Sequence, residues 1–325
     1  MKESPLFWPA YIEGGTLFVL DETLLPAKTH YIKVKNVRQA VNVIRDMKTR
    51  AFGQFLVVMN AFLLVLKKNN RVKTGRNPSL LTVLNQTADA LNKSRPTFPF
   101  SEVTGMVLGW ALKAQAEGID VASYLEKNIL GFLTGIRHRR LARVTEIAAT
   151  IKDGDRVLTH CNVSGELAMA AQICKEQNKT VKFFATETRP YFQGAKLTCW
   201  ELQKAGADVT LIADNAIGHL LSNRLVDLVI TGSDRSCANG DIANKIGSYQ
   251  IAVLAKEFGV PYFALTQPSN KIPTGGDIPI EIRGEDELLN FEGKRFVPAG
   301  VKGFYPGFDV VPHELIRKPI TINVN

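Results

Sequence analysis

Hydrophobic and polar positions change their period twice along this chain. The opening run AYIEGGTLFVLDETLLP, followed by THYIKVKN, alternates residue by residue, the period of a half-buried strand. Glu13-Gly14-Gly15 interrupts it and predicts a tight turn, so the chain should open with an antiparallel cap of about three strands. From Val37 the spacing becomes helical. VRQAVNVIRDMKTRAFGQFLVVMNAFLLVLKK predicts a helix broken near Gly53, and PSLLTVLNQTADALNKS, SEVTGMVLGWALKAQAEG and DVASYLEKNILGFLTGIRHRRLARVTEIAATI predict further helices. The proline-rich RPTFPF (Arg95 to Phe100) separates two of them.

After Lys152-Asp153-Gly154-Asp155 the period changes again. The apolar runs RVLTHC, TVKFFATET, DVTLIAD, VDLVITGSD and PYFALTQP read as strands. Helix-like segments lie between them: GELAMAAQICKEQNK, GAKLTCWELQKAGA, AIGHLLSNRL and IANKIGSYQIAVLAKEFGV. Such βαβ repetition predicts a Rossmann-like parallel sheet with helices on both faces. The fold class is therefore α/β. Residues 1–151 form a β-hairpin and helical domain, and residues 152–325 a catalytic α/β domain. The closing GVKGFYPGFDVVPHELIRKPITINVN has no clear period and receives no assignment.

The strand ends carry the chemistry. The first ends at His160, Cys161 and Asn162, the second at Glu187, Thr188 and Arg189, the third at Asp214 and Asn215, the fourth at Asp234 and Arg235, and the fifth at Gln267. Open α/β sheets bind ligands at the carboxyl ends of their strands. Any one of these groups is an ordinary turn or helix-cap residue. Five polar ends together predict a site, with TGSDRSCANGD (Thr231 to Asp241) as one rim.

Composition removes several classes. The run AFGQFLVVMNAFLLVL is short for a membrane span and is interrupted by Gly53, Gln54 and Asn60, so it reads as a buried helix. The N-terminus lacks the apolar core of a signal peptide. Cys161, Cys174, Cys199 and Cys237 form neither a CxxC nor a metal-ligand spacing, which predicts a reduced, cytoplasmic protein without a metal. The net charge of +9 is dispersed. Its densest cluster, RHRRLAR (Arg137 to Arg143), reads as a solvated helix face and accompanies no nucleic-acid motif. No membrane partner is expected. A basic balance suits an anionic small substrate. No GxGxxG, GxxxxGK[ST], HExxH or GxSxG occurs at a strand end, so no nucleotide cofactor, metal or hydrolase elbow is expected.

A thiol and a carboxylate remain. Cys161 lies between a strand and an expected helix start, a position that favours thiolate; it equally suits an inert buried cysteine. Asp234 follows an apolar strand, and partial desolvation there would let it hold a proton near neutral pH. Such a pair suits moving protons on a sugar.

The segments ETRPYFQGAKLTCWEL, DNAIGHLL, GSDRSCANGDIANKIGSYQIAVLAKEFGVPYF and FDVVPHELI, with EGGTLFVLDETLLP and AVNVIRDMKTRA, resemble the methylthioribose-1-phosphate isomerase family over nearly the whole chain. That family is related to ribose-1,5-bisphosphate isomerase and to regulatory subunits of a translation initiation factor exchange complex. The resemblance implies a cofactor-free, homodimeric aldose–ketose isomerase acting on a small phosphorylated sugar. It implies Cys161 and Asp234 as the catalytic pair, and Arg50, Arg95, Gln193, Asn244 and Lys245 as substrate contacts. Where the family carries Gly-Ala-Pro after the first-helix arginine, this chain has Ala51, Phe52 and Gly53. The alternatives are an isomerase of another pentose 1-phosphate, such as 5-deoxyribose 1-phosphate or ribose 1,5-bisphosphate, and a non-catalytic regulatory protein.

Overall fold

The computed structural model describes residues 2–69, 79–96, 98, 100–267 and 271–321. Pro78, Thr97, Pro99 and Pro268, which fall within segments read above, lie outside the described residues. Two compact units emerge: Pro5–His138, and Arg139–Asn325 with Met1–Ser4.

The first unit opens with the expected antiparallel cap, β1 (Ala10–Glu13), β2 (Thr16–Leu20) and β3 (Tyr31–Val34). Glu13 pairs with Thr16, so Gly14 and Gly15 alone make the turn. Helices α1 (Val37–Arg45), α2 (Ala51–Asn69), α3 (Leu80–Ser94), α4 (Phe100–Ala116) and α5 (Val121–Thr150) follow. Asn36 caps α1 through its side chain onto the Gln39 N–H, 3.0 Å, and Ser79 caps α3 onto the Thr82 N–H, 3.2 Å. The helical break falls at residues 46–50, before α2, and not at Gly53, which lies inside α2. Helix α2 is long and apolar enough to cross a membrane. Its run Leu56–Leu66 is instead buried throughout and forms the middle of this unit's core, with Val43, Leu84, Leu91, Val107 and Leu125.

The boundary between the units falls inside α5, between His138 and Arg139, and not at Ile151. The reason lies in the basic cluster. Arg140 and Arg143 are 2% and 7% exposed, so the reading of this stretch as a solvated face is corrected. Glu166 holds both guanidiniums: Oε1 accepts from Arg140 Nε at 2.6 Å, and Oε2 from Arg143 Nε at 2.5 Å.

The second unit contains β4 (Arg156–Thr159), α6 (Glu166–Glu176), β5 (Lys182–Thr186), α7 (Cys199–Lys204), β6 (Asp208–Ile212), α8 (Ile217–Ser222), β7 (Leu228–Thr231), β8 (Arg235–Ser236), β9 (Ile242–Lys245), α9 (Ser248–Glu257) and β10 (Tyr262–Thr266). The closing segment, left unassigned from sequence, supplies β11 (Ile282–Arg283), α10 (Asp286–Leu289), β12 (Asn290–Phe291), β13 (Lys294–Arg295), β14 (Tyr305–Pro306), β15 (Phe308–Val311) and β16 (Lys318–Thr321).

Among the described residues six strands form one parallel sheet in the order β16-β10-β7-β4-β5-β6. The chain runs outward from β4 to β6, then returns to the other side of β4 at β7. The strand order thus reverses between β4 and β7, and such a switch point opens a crevice at the carboxyl ends. Apolar residues of the strands and helices, among them Leu158, Val229, Ile251, Ala252, Tyr262 and Ala264, form the core beneath it.

Candidate active site

Cys161 follows β4 and Asp234 follows β7, the two strands that flank the switch point. The loops after them touch. A Cβ added at Gly232 would lie 3.4 Å from Val163 and 3.8 Å from Asn244 Oδ1.

The Cys161 loop is held in an unusual backbone conformation. Cys161 (φ 63°), Ser164 (φ 52°), Thr188 (φ 60°) and Phe192 (φ 57°) all adopt left-handed angles that non-glycine residues rarely take. Hydrogen bonds fix them. Asp214 accepts from the backbone N–H of Thr188 and of Arg189, both at 2.7 Å. The Thr188 hydroxyl accepts from the Cys161 N–H at 3.0 Å, and Thr198 Oγ1 donates to the Cys161 carbonyl at 2.5 Å. Cys161 is buried, and its Sγ lies 3.6 Å from Gln193 Oε1. Helix α6 starts at Glu166, so Asn162–Gly165 intervene between the thiol and the helix expected beside it.

Gln193 owes its position to an irregular turn. Gly194–Thr198 forms a π-helix that leads into α7. A Cβ at Gly194 would fall 1.8 Å from the Thr186 carbonyl, so only glycine lets this turn press against the end of β5.

His160 is an anchor. The Ile246 carbonyl can only accept, so His160 Nε2 donates to it at 2.8 Å, and Nδ1 accepts from Thr186 Oγ1 at 2.6 Å. Burial pushes its pKa down, keeping the ring neutral and tying β4, β5 and the start of α9 together.

Two expectations around Asp234 are corrected. Strand β7 ends at Thr231, and Asp234 stands beyond it at the start of the β8–β9 hairpin, where its N–H donates to the Ala243 carbonyl at 2.9 Å. Asp234 is an exposed residue and not the partly desolvated strand-end aspartate expected. The second correction concerns Asn244 and Lys245. They lie on β9 and not in the following helix, which begins at Ser248. Strand β15 pairs with this segment, Phe308 opposite Lys245 and Asp309 opposite Asn244, and that pairing holds it extended. Asp309 then caps α9 by accepting from the Gly247 and Tyr249 N–H groups. Both residues are buried: Asn244 donates to Ser248 Oγ at 2.8 Å, and the Lys245 ammonium sits 4.9 Å from the Phe308 ring and 5.6 Å from that of Tyr191. Within this unit Cys161 meets Gln193, and the loop that carries Gln193 also sets the Tyr191 ring against the Lys245 ammonium.

Arg50 and Arg95 belong to the other unit, where both bind around the start of α2. Arg50 Nε donates to Glu22 Oε2 at 2.5 Å, and Arg95 Nη1 donates to Gln54 Oε1 at 3.0 Å. The Ala51-Phe52-Gly53 sequence still opens a helix, and Phe52 packs on Trp8 and Phe55. The Glu22 carboxylate already offsets the Arg50 charge, whereas the Arg95 guanidinium beside the helix N-terminus suits an anion.

Asp241, His313 and Glu314 bring ligand atoms within 4.8 Å of one another on the surface. Asp241 already accepts from the Asn239 amide, the Gly275 N–H and the backbone N–H and Nδ1 of His313, so hydrogen bonding accounts for the cluster.

Sequence reasoning passed over Thr188 and Asp214 as individual contributors and over Tyr191, Tyr305 and Phe308 altogether. The first two were visible as strand-end residues. The aromatic residues carry no local signal, because Tyr191 follows a strand end in a loop and the others sit in the segment without periodicity.

The sequence profile of the Initiation factor 2 subunit family matches residues 52–322. A methylthioribose-1-phosphate isomerase from Desulforudis audaxviator is 38% identical over 341 aligned residues, spanning 99% of this chain and 93% of that protein. One from Thermosipho africanus is 36% identical, over 95% and 91% of the two chains. The crystal structure of 5-methylthioribose 1-phosphate isomerase from Pyrococcus horikoshii superposes with a TM-score of 0.83 at 27% identity, covering 99% and 94% of the two chains. That of the translation initiation factor eIF-2B subunit delta from A. fulgidus gives 0.77 at 30% identity, over 97% and 94%. This chain belongs to the initiation factor 2 subunit family, and within it to the methylthioribose-1-phosphate isomerase family.

Proposed function

We propose that this chain is an aldose–ketose isomerase that converts 5-methylthioribose 1-phosphate to 5-methylthioribulose 1-phosphate, a reaction of methionine salvage. One observation carries the reading: a thiol and a carboxylate follow the two strands at which the sheet reverses its order.

A sugar phosphorylated at C1 cannot open its ring freely, because the phosphate locks the anomeric oxygen. The ring oxygen must first be protonated, and hydrogen then moves from C2 to C1. Asp234 is the proton donor, and Cys161 serves the transfer at carbon. Asp234 is an exposed residue, so the desolvation that general-acid chemistry calls for comes from bound substrate. Gln193 and Asn244 hold sugar hydroxyls, and Lys245 adds a donor with fixed direction. Arg50 and Arg95 supply charge for the phosphate. The enzyme works without an added cofactor. It acts as a homodimer in the cytoplasm, a setting that fits four cysteines that form no disulfide among the described residues.

Proton NMR of the purified protein with 5-methylthioribose 1-phosphate tests this. Loss of the anomeric signal and growth of a ketose 1-phosphate are expected. No change in a folded protein would overturn the substrate assignment. Turnover of 5-deoxyribose 1-phosphate or ribose 1,5-bisphosphate in the same assay would redirect it, and inertness to all three would favour a regulatory role.

A further inference from the structure

Tyr305 is 3% exposed, yet its phenol oxygen has no hydrogen-bond partner among the described residues. Buried hydroxyls are almost always paired, so an orphan one calls for an explanation. Its neighbour Tyr191 shows the contrast. The two rings pack edge to face at 6.3 Å, but the Tyr191 hydroxyl accepts from Arg283 Nη2 at 2.5 Å.

The orphan hydroxyl is carried by elements that pack around the residues near Cys161. Strand β14 carries Tyr305 opposite Arg283 on β11, and Phe308, three residues on, lies opposite Lys245. Tyr191, against which Tyr305 packs, supports the Lys245 ammonium and precedes Gln193, whose Oε1 faces the Cys161 thiol. Burial first, and then the charges of Glu287 and of Cys161, hold the phenol pKa well above its usual value, while Arg283 opposes them. The group therefore stays a neutral O–H donor at any working pH.

We infer that Tyr305 is a further catalytic residue whose hydroxyl donates a hydrogen bond to a sugar oxygen beside the carbon served by Cys161. A carbonyl forms and charge shifts between oxygens at that point of an aldose–ketose isomerisation, and a preorganised neutral donor out of water stabilises such charge. No atom is transferred; the phenol keeps its proton. The inference rests on the isomerase reading above.

Tyr305→Phe deletes only the unpaired oxygen and keeps the ring, so the fold should tolerate it, with a melting temperature equal to or above that of wild type. With 5-methylthioribose 1-phosphate, kcat should fall by about 100-fold while KM changes little. The rate at which iodoacetamide alkylates Cys161 should stay within about twofold, showing an undisturbed thiol. Unchanged kcat in the variant beside an active wild type would overturn the inference alone. A parallel fall in kcat and alkylation rate would overturn it too, since Tyr305 would then act through Cys161. An inactive wild type would overturn the isomerase reading and this inference with it.

Discussion

Glu166→Gln tests whether the buried arginine cluster holds the Cys161 loop together. Glu166 is 1% exposed and serves two guanidiniums that are almost as buried. It accepts from Arg140 Nε at 2.6 Å and from Arg143 Nε and Nη2 at 2.5 and 2.6 Å. The arginines in turn donate to backbone carbonyls, Arg140 to Ser164 and Arg143 to Thr266, both at 2.8 Å. An amide in place of the carboxylate keeps one oxygen acceptor, turns an NH₂ toward a guanidinium and removes the negative charge that the two buried cations share, leaving Arg140 only the weaker attraction of Glu201. Removing one partner of a buried ion pair costs about 3–5 kcal/mol. The carboxylate serves both arginines, so the upper half of that range, about 4–5 kcal/mol, is expected. At about 2–4 °C per kcal/mol for a unit of this size, the melting temperature should fall by about 8–20 °C. Scanning calorimetry and urea unfolding at neutral pH read it directly. A loss below about 1 kcal/mol would refute the reasoning, because it would mean that the arginines relax to water at little cost.

The same cluster has a pH signature. Burial raises the Glu166 pKa, but Arg143 and Arg140 lower it more, so in the folded protein it lies below its ordinary value. A carboxylate depressed on folding contributes its full stability above the unfolded pKa of about 4.3 and loses it as pH falls through the folded value. Wild type and Glu166→Gln should therefore differ most at neutral pH and converge in acid below about pH 4. A difference independent of pH over that window would show that the charge is not the cause.

Cys161→Ser and Asp234→Asn should each abolish isomerase turnover while leaving the far-ultraviolet spectrum intact, and near-normal activity in either would remove that residue from the chemistry. Arg95→Ala should raise KM by about 10- to 100-fold, the value of a charge-assisted hydrogen bond, and an unchanged KM would count against a phosphate contact there. Gly247→Ala should cost about 1–3 kcal/mol in urea unfolding, because Gly247 has φ 102° and an added Cβ would sit 3.1 Å from His160 Cε1; a neutral result would mean that His160 is not pinned.

Much of this was legible in the chain because period and burial coincide. The Leu56–Leu66 run is apolar on every face but for Asn60 and is buried throughout. The five βαβ strands are short apolar runs closed by polar groups, and all five lie in the parallel sheet. What failed were local readings that a distant segment overrides. Arg140 and Arg143 look like solvent charges until Glu166, more than twenty residues later, neutralises them. Asn244 and Lys245 read as the start of a helix because their strand exists only by pairing with Phe308 and Asp309, over sixty residues away. Asp234 reads as a strand end because Gly232 and Ser233 look like its continuation, whereas the hairpin bond to Ala243 lifts it clear. The sixth strand, Lys318–Thr321, could not be read from spacing, since its place beside β10 is set by the sheet.

The fold alone does not separate catalysis from regulation, because an isomerase and an initiation factor subunit both superpose on this chain. The separation has to come from local structure, and backbone strain is the most telling part. A left-handed non-glycine residue costs of order 1–3 kcal/mol and persists only where its surroundings over-determine it. Cys161 is such a residue, held through its N–H by Thr188, itself left-handed and bound by Asp214, and through its carbonyl by Thr198. An ordinary φ would swing Cβ away and carry the sulfur off Gln193. The network thus works against the local preference of the chain to aim one thiol at the mouth of the sheet. A surface that only docks a partner gains nothing from that arrangement, whereas a residue that must meet one carbon of a sugar requires it.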